Sequence, residues 1–203
     1  MVRSSRFLMK RIAFLVSGNG TNMENLVREI QAGRVPGQAA VVISDNPRAG
    51  ALERAKKLGV TTAVVERKDY ETKQDFETGI EEALSQYEAD LVCLAGFMRI
   101  LSPGFVERHF GRIVNIHPAY LPEFPGAHAI KDAFEAKVKQ TGVTVHFVDA
   151  GVDSGPIILQ ERVAVRPEDT LETLEARIHE KEYRLYPEAV KLVLSGKARL
   201  EKM

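Results

Sequence analysis

Short, almost continuously apolar runs alternate along the chain with longer stretches whose apolar residues recur every three or four positions. The first pattern is that of strands buried on both faces, the second that of amphipathic helices packed over them. Strands are predicted over residues 12–16, 39–43, 62–65, 91–94 and 113–115, with helices over 22–31, 49–58, 70–87 and 103–109 between them. This alternation predicts an α/β fold with right-handed βαβ units and helices on both faces of a largely parallel sheet. After Asn115 the pattern changes. The stretch His117-Pro118-Ala119-Tyr120-Leu121-Pro122-Glu123-Phe124-Pro125-Gly126 holds three prolines and fits neither a regular helix nor a central strand. A helix over 130–139, extended strands over 142–148 and 156–165, and a last helix starting near Thr170 complete the pattern. Asp169 and Thr170 bring capping oxygens and negative charge to that helix start. With no repeat, low-complexity tract or linker, a single domain spanning 1–203 is expected, residues 1–10 forming a ragged extension.

Composition narrows the class. Hydrophobic residues make up 44% and charged residues 28%, the mixture of an ordinary globular domain. Lys plus Arg (28) balance Asp plus Glu (28), a formal net charge of zero. A surface built to track a polyphosphate chain is therefore not expected, whereas a small anion needs only one pocket. Cys93 is the only cysteine, which leaves no intramolecular disulfide and no cysteine-built zinc site. Residues 1–11 lack the long apolar stretch and cleavage site of a signal peptide, and no apolar run approaches the length of a membrane span. A cytoplasmic location is expected, with neither membrane nor nucleic acid as partner.

Two places carry candidate chemistry. Ser17-Gly18-Asn19-Gly20-Thr21-Asn22 joins the first strand to the first helix. There the glycines allow a sharp turn, and the free N–H groups of a helix start face an anion. Met23 stands where a dinucleotide fingerprint has its third glycine, and no Gly-Lys-Ser/Thr follows, so neither that motif nor a P-loop is present. A tight capped turn is an equal reading of the loop taken alone. The second place is Asn115-Ile116-His117-Pro118, at a strand's carboxyl end, where ligands of open α/β sheets bind. Residues two apart on an extended backbone share a face. An amide and an imidazole side by side suit an oxyanion and a proton transfer. Asp153, in a loop with Gly151 and Gly155, would favour the imidazolium if the loop folds over His117; an Asx-turn and an ordinary loop histidine are the bland readings. No metal-ligand spacing and no Gly-x-Ser-x-Gly elbow occur, and Cys93 falls in a buried strand.

In order along the chain, Ser17–Asn22, Leu94-Ala95-Gly96-Phe97-Met98-Arg99-Ile100-Leu101-Ser102, Asn115-Ile116-His117-Pro118, Leu121-Pro122 and Asp153-Ser154-Gly155-Pro156-Ile157-Ile158-Leu159-Gln160 resemble the landmarks of the glycinamide ribonucleotide formyltransferase family, from Ile12 to about Leu200. The resemblance implies a doubly wound, mostly parallel sheet with helices on both faces. It implies that Gly20, Thr21 and Asn22 hold the phosphate of glycinamide ribonucleotide and that Glu182 contacts its sugar. It further implies that Met98, Arg99, Ile100 and Leu101 wall a folate pocket bordered by Asn115, with residues 150–153 closing over the ring and Lys73 near the folate tail. Asn115, His117 and Asp153 are the implied reaction centre. The formyl donor would be 10-formyltetrahydrofolate as cosubstrate, without metal or ATP, and a homodimer is allowed for. Ala119-Tyr120, in place of the common Ser-Leu, and His179, where some relatives carry an amide, depart from the family pattern and bear on the acceptor site. The same centre occurs in methionyl-tRNA formyltransferase and formyltetrahydrofolate hydrolase, whose additional domains are not expected in a chain of 203 residues. The alternative of another class is a non-catalytic nucleotide-binding module.

Overall fold

The computed structural model describes residues 9–201. The expected N-terminal extension therefore lies outside the described residues, apart from Met9 and Lys10. Seven strands form one sheet: β1 (Arg11–Val16), β2 (Gln38–Ser44), β3 (Thr62–Val64), β4 (Leu91–Leu94), β5 (Ile113–His117), β6 (Gln140–Phe147) and β7 (Ile157–Ala164). Their order is β3-β2-β1-β4-β5-β6-β7. The first five run parallel, while β6 and β7 form an antiparallel continuation beside β5.

Side chains alternate across β1 and thereby seed a core on each face of the sheet. Ile12, Phe14 and Val16 join one cluster with Met23, Leu26, Val27, Leu174, Ile178 and Tyr186, from helices α1 (Thr21–Gln31) and α6 (Leu171–Leu194). Ala13 and Leu15 join the other, with Phe76 and Ile80 of α3 (Lys73–Gln86) and Phe105 of α4 (Pro103–Arg108). Helices α2 (Gly50–Lys57) and α5 (Ala129–Glu135) complete the layers. This is the doubly wound, mostly parallel sheet that the alternation and the resemblance predict. No helix of the described residues is long and apolar enough to cross a membrane.

Local chemistry explains the boundaries. Helix α3 starts at Lys73 rather than residue 70 because Thr72 and Asp75 form a reciprocal capping box. Thr170 and Thr173 do the same for α6. Helix α5 stops at Glu135, short of 139, and Lys137 then takes a φ of 51°. Pro187 lies inside α6; having no N–H, it leaves the carbonyl of Tyr183 without its helical donor. Asn25 of α1 supplies one, its Nδ2 donating to the Tyr183 oxygen at 2.7 Å.

Candidate active site

Strand order reverses between β1 and β4, and the loops leaving their carboxyl ends diverge there, the place where open α/β sheets form a ligand crevice. A cavity of about 750 Å³ occupies it, lined from residues 17–22, 94–101, 115–118, 126–127, 146, 148–149, 151–153 and the 179–183 turn of α6.

At one end lies the start of α1. Gly20 has a φ of 72°, and a Cβ on it would fall 2.4 Å from the Cβ of Ala51, so both backbone and packing require glycine. No side chain caps α1, in contrast to α3, α4 and α6. Its first-turn N–H groups are therefore without a side-chain partner beside the cavity. Asn22 Nδ2 donates to Glu182 Oε2 at 3.0 Å, and His179 Nδ1 stands 2.6 Å from the same oxygen. Glu182 is buried. The hydrogen bond to Glu182 raises the His179 pKa, against the opposing pull of burial.

The apolar rim comes from Met98 and Ile100 on one side and Val152 on the other, all well exposed. Ser17 Oγ accepts from the Met98 N–H at 2.9 Å, which ties this segment to the β1 loop. Arg99 also lines the cavity, but its Nε is turned to Asp45 Oδ2 at 2.6 Å. Leu101 is buried in the core beneath. Lys73 is not among the lining residues; its Nζ lies 3.9 Å from Glu77 Oε1. Glu77 in turn accepts from the Ser102 N–H and hydroxyl at the end of the rim segment.

The polar centre forms where β5 meets β6. Strand β5 runs through His117, so Asn115 and His117 share a face as their spacing predicts. The antiparallel register sets His146 opposite Asn115 and Thr144 opposite His117. Asp153 closes the group from the β6–β7 connection. Its Oδ1 accepts from Asn115 Nδ2 at 3.3 Å, and its Oδ2 lies 3.4 Å from His117 Nδ1. The positive φ of this loop falls on Asp153 itself, at 51°, not on Gly151 or Gly155, and aspartate tolerates that region better than most residues. Burial would push its carboxyl upward. The neighbouring His146, the Gly126 N–H at 2.8 Å and the charge of His117 outweigh it, so the pKa is lowered. His117 Nε2 donates to the Phe124 carbonyl at 2.8 Å. With that nitrogen engaged, Nδ1 is the one that faces Asp153.

His146, absent from the residues singled out by sequence, belongs to this group. Its Nδ1 donates to the Phe147 carbonyl at 2.7 Å, and its Nε2 lies 3.3 Å from Asn115 Nδ2 and 3.6 Å from Asp153 Oδ1. A lone histidine in an apolar strand has no motif to announce it; only the β5–β6 register brings it to Asn115. The proline-rich loop is likewise held from the sheet. Thr144 Oγ1 donates to the Ala119 carbonyl and accepts from the Leu121 N–H, while Gln160 Nε2 donates to the Leu121 carbonyl. Cys93 is buried in β4, where desolvation pushes its thiol up to about 12, far from the range of a nucleophilic thiolate.

The formyl transferase family model matches residues 10–190. The phosphoribosylglycinamide formyltransferase of Bacillus subtilis is 42% identical over 96% of this chain and 100% of its own length. The trifunctional purine biosynthetic protein adenosine-3 of Bos taurus is 43% identical over 94% of this chain, which spans 19% of that longer protein. Among solved structures, phosphoribosylglycinamide formyltransferase from Streptococcus pneumoniae superposes with a TM-score of 0.86 at 51% identity, covering 91% of this chain and 99% of that one. Glycinamide ribonucleotide transformylase 1 from Symbiobacterium toebii gives 0.92 at 46% identity, over 95% and 91%. With matching sequence and topology, the chain belongs to the formyl transferase family and groups there with the phosphoribosylglycinamide formyltransferases.

Proposed function

We propose that this cavity transfers the formyl group of 10-formyltetrahydrofolate to the amine of glycinamide ribonucleotide, with Asn115, His117 and Asp153 as its reaction centre. The observation that carries this is their convergence: an amide and an imidazole each within 3.4 Å of one ionised carboxylate, inside the crevice at the strands' carboxyl ends. The uncapped start of α1 supports phosphate binding by Gly20, Thr21 and Asn22, since free N–H groups and the helix dipole both favour an anion. Glu182, reachable from the same end, suits the ribose hydroxyls. The apolar rim of Met98, Ile100 and Val152 suits the faces of a pterin, with Arg99 and Leu101 supporting that wall. Lys73, outside the lining, would meet only the far end of a folate tail.

In the reaction the acceptor amine attacks the formyl carbon, forming a C–N bond and moving the carbonyl electrons onto oxygen. Asn115 Nδ2 and His117 Nδ1, protonated, would hydrogen-bond that oxyanion. Asp153 stabilises the imidazolium and assists the proton's passage from the attacking amine to the departing folate nitrogen, as the old C–N bond breaks. His146 orients the Asn115 amide from the opposite strand. The test is folate absorbance on mixing protein with 10-formyltetrahydrofolate, with and without glycinamide ribonucleotide. Turnover that requires the ribonucleotide is expected. Turnover without it would indicate a hydrolase, and none with either would contradict the reaction.

A further inference from the structure

The loop that touches both His117 and Asp153 is fastened at its outer turn by three side chains outside the cavity. Gly142 of β6 and Arg162 of β7 pair in the antiparallel register and so share the sheet face that carries Asn115, His117 and Thr144. Tyr120 lies on the bare backbone of Gly142: a Cβ there would stand 2.8 Å from Tyr120 Cβ and 3.0 Å from its Cδ2. The Arg162 guanidinium carbon sits over the Tyr120 ring, 3.6 Å from its centroid, in cation–π contact. From there Arg162 donates through Nη1 and Nη2 to both Glu123 carboxylate oxygens, at 2.7 and 2.8 Å. The Glu123 N–H closes the turn on the Tyr120 carbonyl at 3.0 Å. Phe124 follows with a φ of 51°. Its carbonyl takes the His117 Nε2–H, and two residues on the Gly126 N–H donates to Asp153.

We propose that Tyr120, Glu123 and Arg162 form a clasp that positions the His117 imidazole, by keeping the Phe124 carbonyl on Nε2 and so turning Nδ1 toward Asp153 and the reacting atoms. The inference rests on the role proposed above for His117. These are positioning residues, since none of the three lines the cavity. An Arg–Glu pair about two-fifths exposed, as here (42% and 40%), adds little to stability by itself. Thr144 and Gln160 hold the inner part of the loop independently, so releasing the clasp frees the outer turn while the fold stays intact.

Arg162→Ala in the full chain is expected to lower kcat about tenfold, as small misplacements of a reacting group do, with KM for donor and acceptor each within about threefold of the parent. Arg162→Lys keeps the charge but loses the planar stacking and the fork, and is expected to recover only part of the loss. Arg184→Ala is the control, removing a surface pair with Glu161 of the same edge strand and nothing in the loop. Independently of turnover, the His117 ring-nitrogen resonances of a histidine-labelled sample should move in Arg162→Ala and stay put in Arg184→Ala. Parent-like kcat or unmoved His117 resonances in Arg162→Ala would overturn the clasp, as would equal loss in the Arg184→Ala control. If the parent chain shows no turnover, the proposed reaction fails, and the resonances alone still decide the clasp.

Discussion

At the end of the cavity beside α1, proposed above to bind the acceptor, a single oxygen, Glu182 Oε2, serves both Asn22 Nδ2 and His179 Nδ1. The groups around His179 are Glu182 and Glu175 of its own helix, the Tyr183 ring stacked 6.2 Å away, and Asn22 of α1, which shares the Glu182 oxygen. Both carboxylates favour the imidazolium, and the Glu182 bond dominates, so the pKa is raised. His179 lines the cavity, and no hydrogen bond among the described residues engages its Nε2, so that N–H is expected to meet an anionic acceptor. The sign follows: His179 is cationic below its raised pKa and loses that charge as pH climbs through it, so acceptor KM should rise over the same interval. His179→Gln keeps a polar side chain without the charge and should raise acceptor KM at mildly acid pH while flattening its pH dependence, with donor KM unchanged. Comparing parent and variant at each pH cancels the substrate phosphate's own second ionisation, near pH 6. Superimposable acceptor KM profiles would remove His179 from the acceptor site. His179 itself is visible in the sequence, and its partnership with Glu182 follows from their spacing of three on a helix. Its place opposite Asn22 depends on the packing of α6 on α1, which no local pattern encodes.

Secondary-structure elements are legible in the sequence where a local rule governs them, and less so where tertiary contacts do. The apolar runs of β1, β2 and β4 and the cap of α6 at Thr170 are local, and the structure has them as expected. Helix α3 begins late because the Thr72–Asp75 box outweighs the apolar period that starts at Tyr70. Strand β5 extends two residues beyond the expected Asn115 because β6 pairs with it through His117. Helix α6 is the clearest case of tertiary compensation: it passes through Pro187 because Asn25, on another helix, satisfies the Tyr183 carbonyl. Asn25→Ala should therefore destabilise the fold by about 1 kcal/mol, read from denaturant or thermal unfolding. In a Pro187→Ala background the same substitution should matter much less, because the restored backbone N–H can make the helical hydrogen bond to Tyr183 itself. Additive losses in this double-mutant cycle would show that Asn25 acts some other way.

Across the whole molecule, the sheet brings together residues that sequence spacing cannot join. Asn115 and His117 are recognisable as a pair because strand geometry alone puts them on one face. Asp153 joins them in the sequence only by family resemblance, since its approach depends on the β6–β7 hairpin folding back beside β5, and His146 escapes sequence reading for the same reason. The start of α1, the Asn115–His117–Asp153 group and the apolar rim each come from a different strand end, and the reversal of strand order between β1 and β4 lets all three open into one crevice. The proposed chemistry lies at the centre of that crevice. Removing one oxyanion donor typically costs about 2.7–4 kcal/mol of transition-state stabilisation, roughly a hundred- to thousand-fold in rate. The decisive measurement is steady-state kinetics of Asn115→Ala and His117→Ala beside the parent, with 10-formyltetrahydrofolate and glycinamide ribonucleotide both varied. A fall in kcat of at least about a hundred-fold in each, with KM little changed, is the predicted result; near-normal kcat in either folded variant would contradict it.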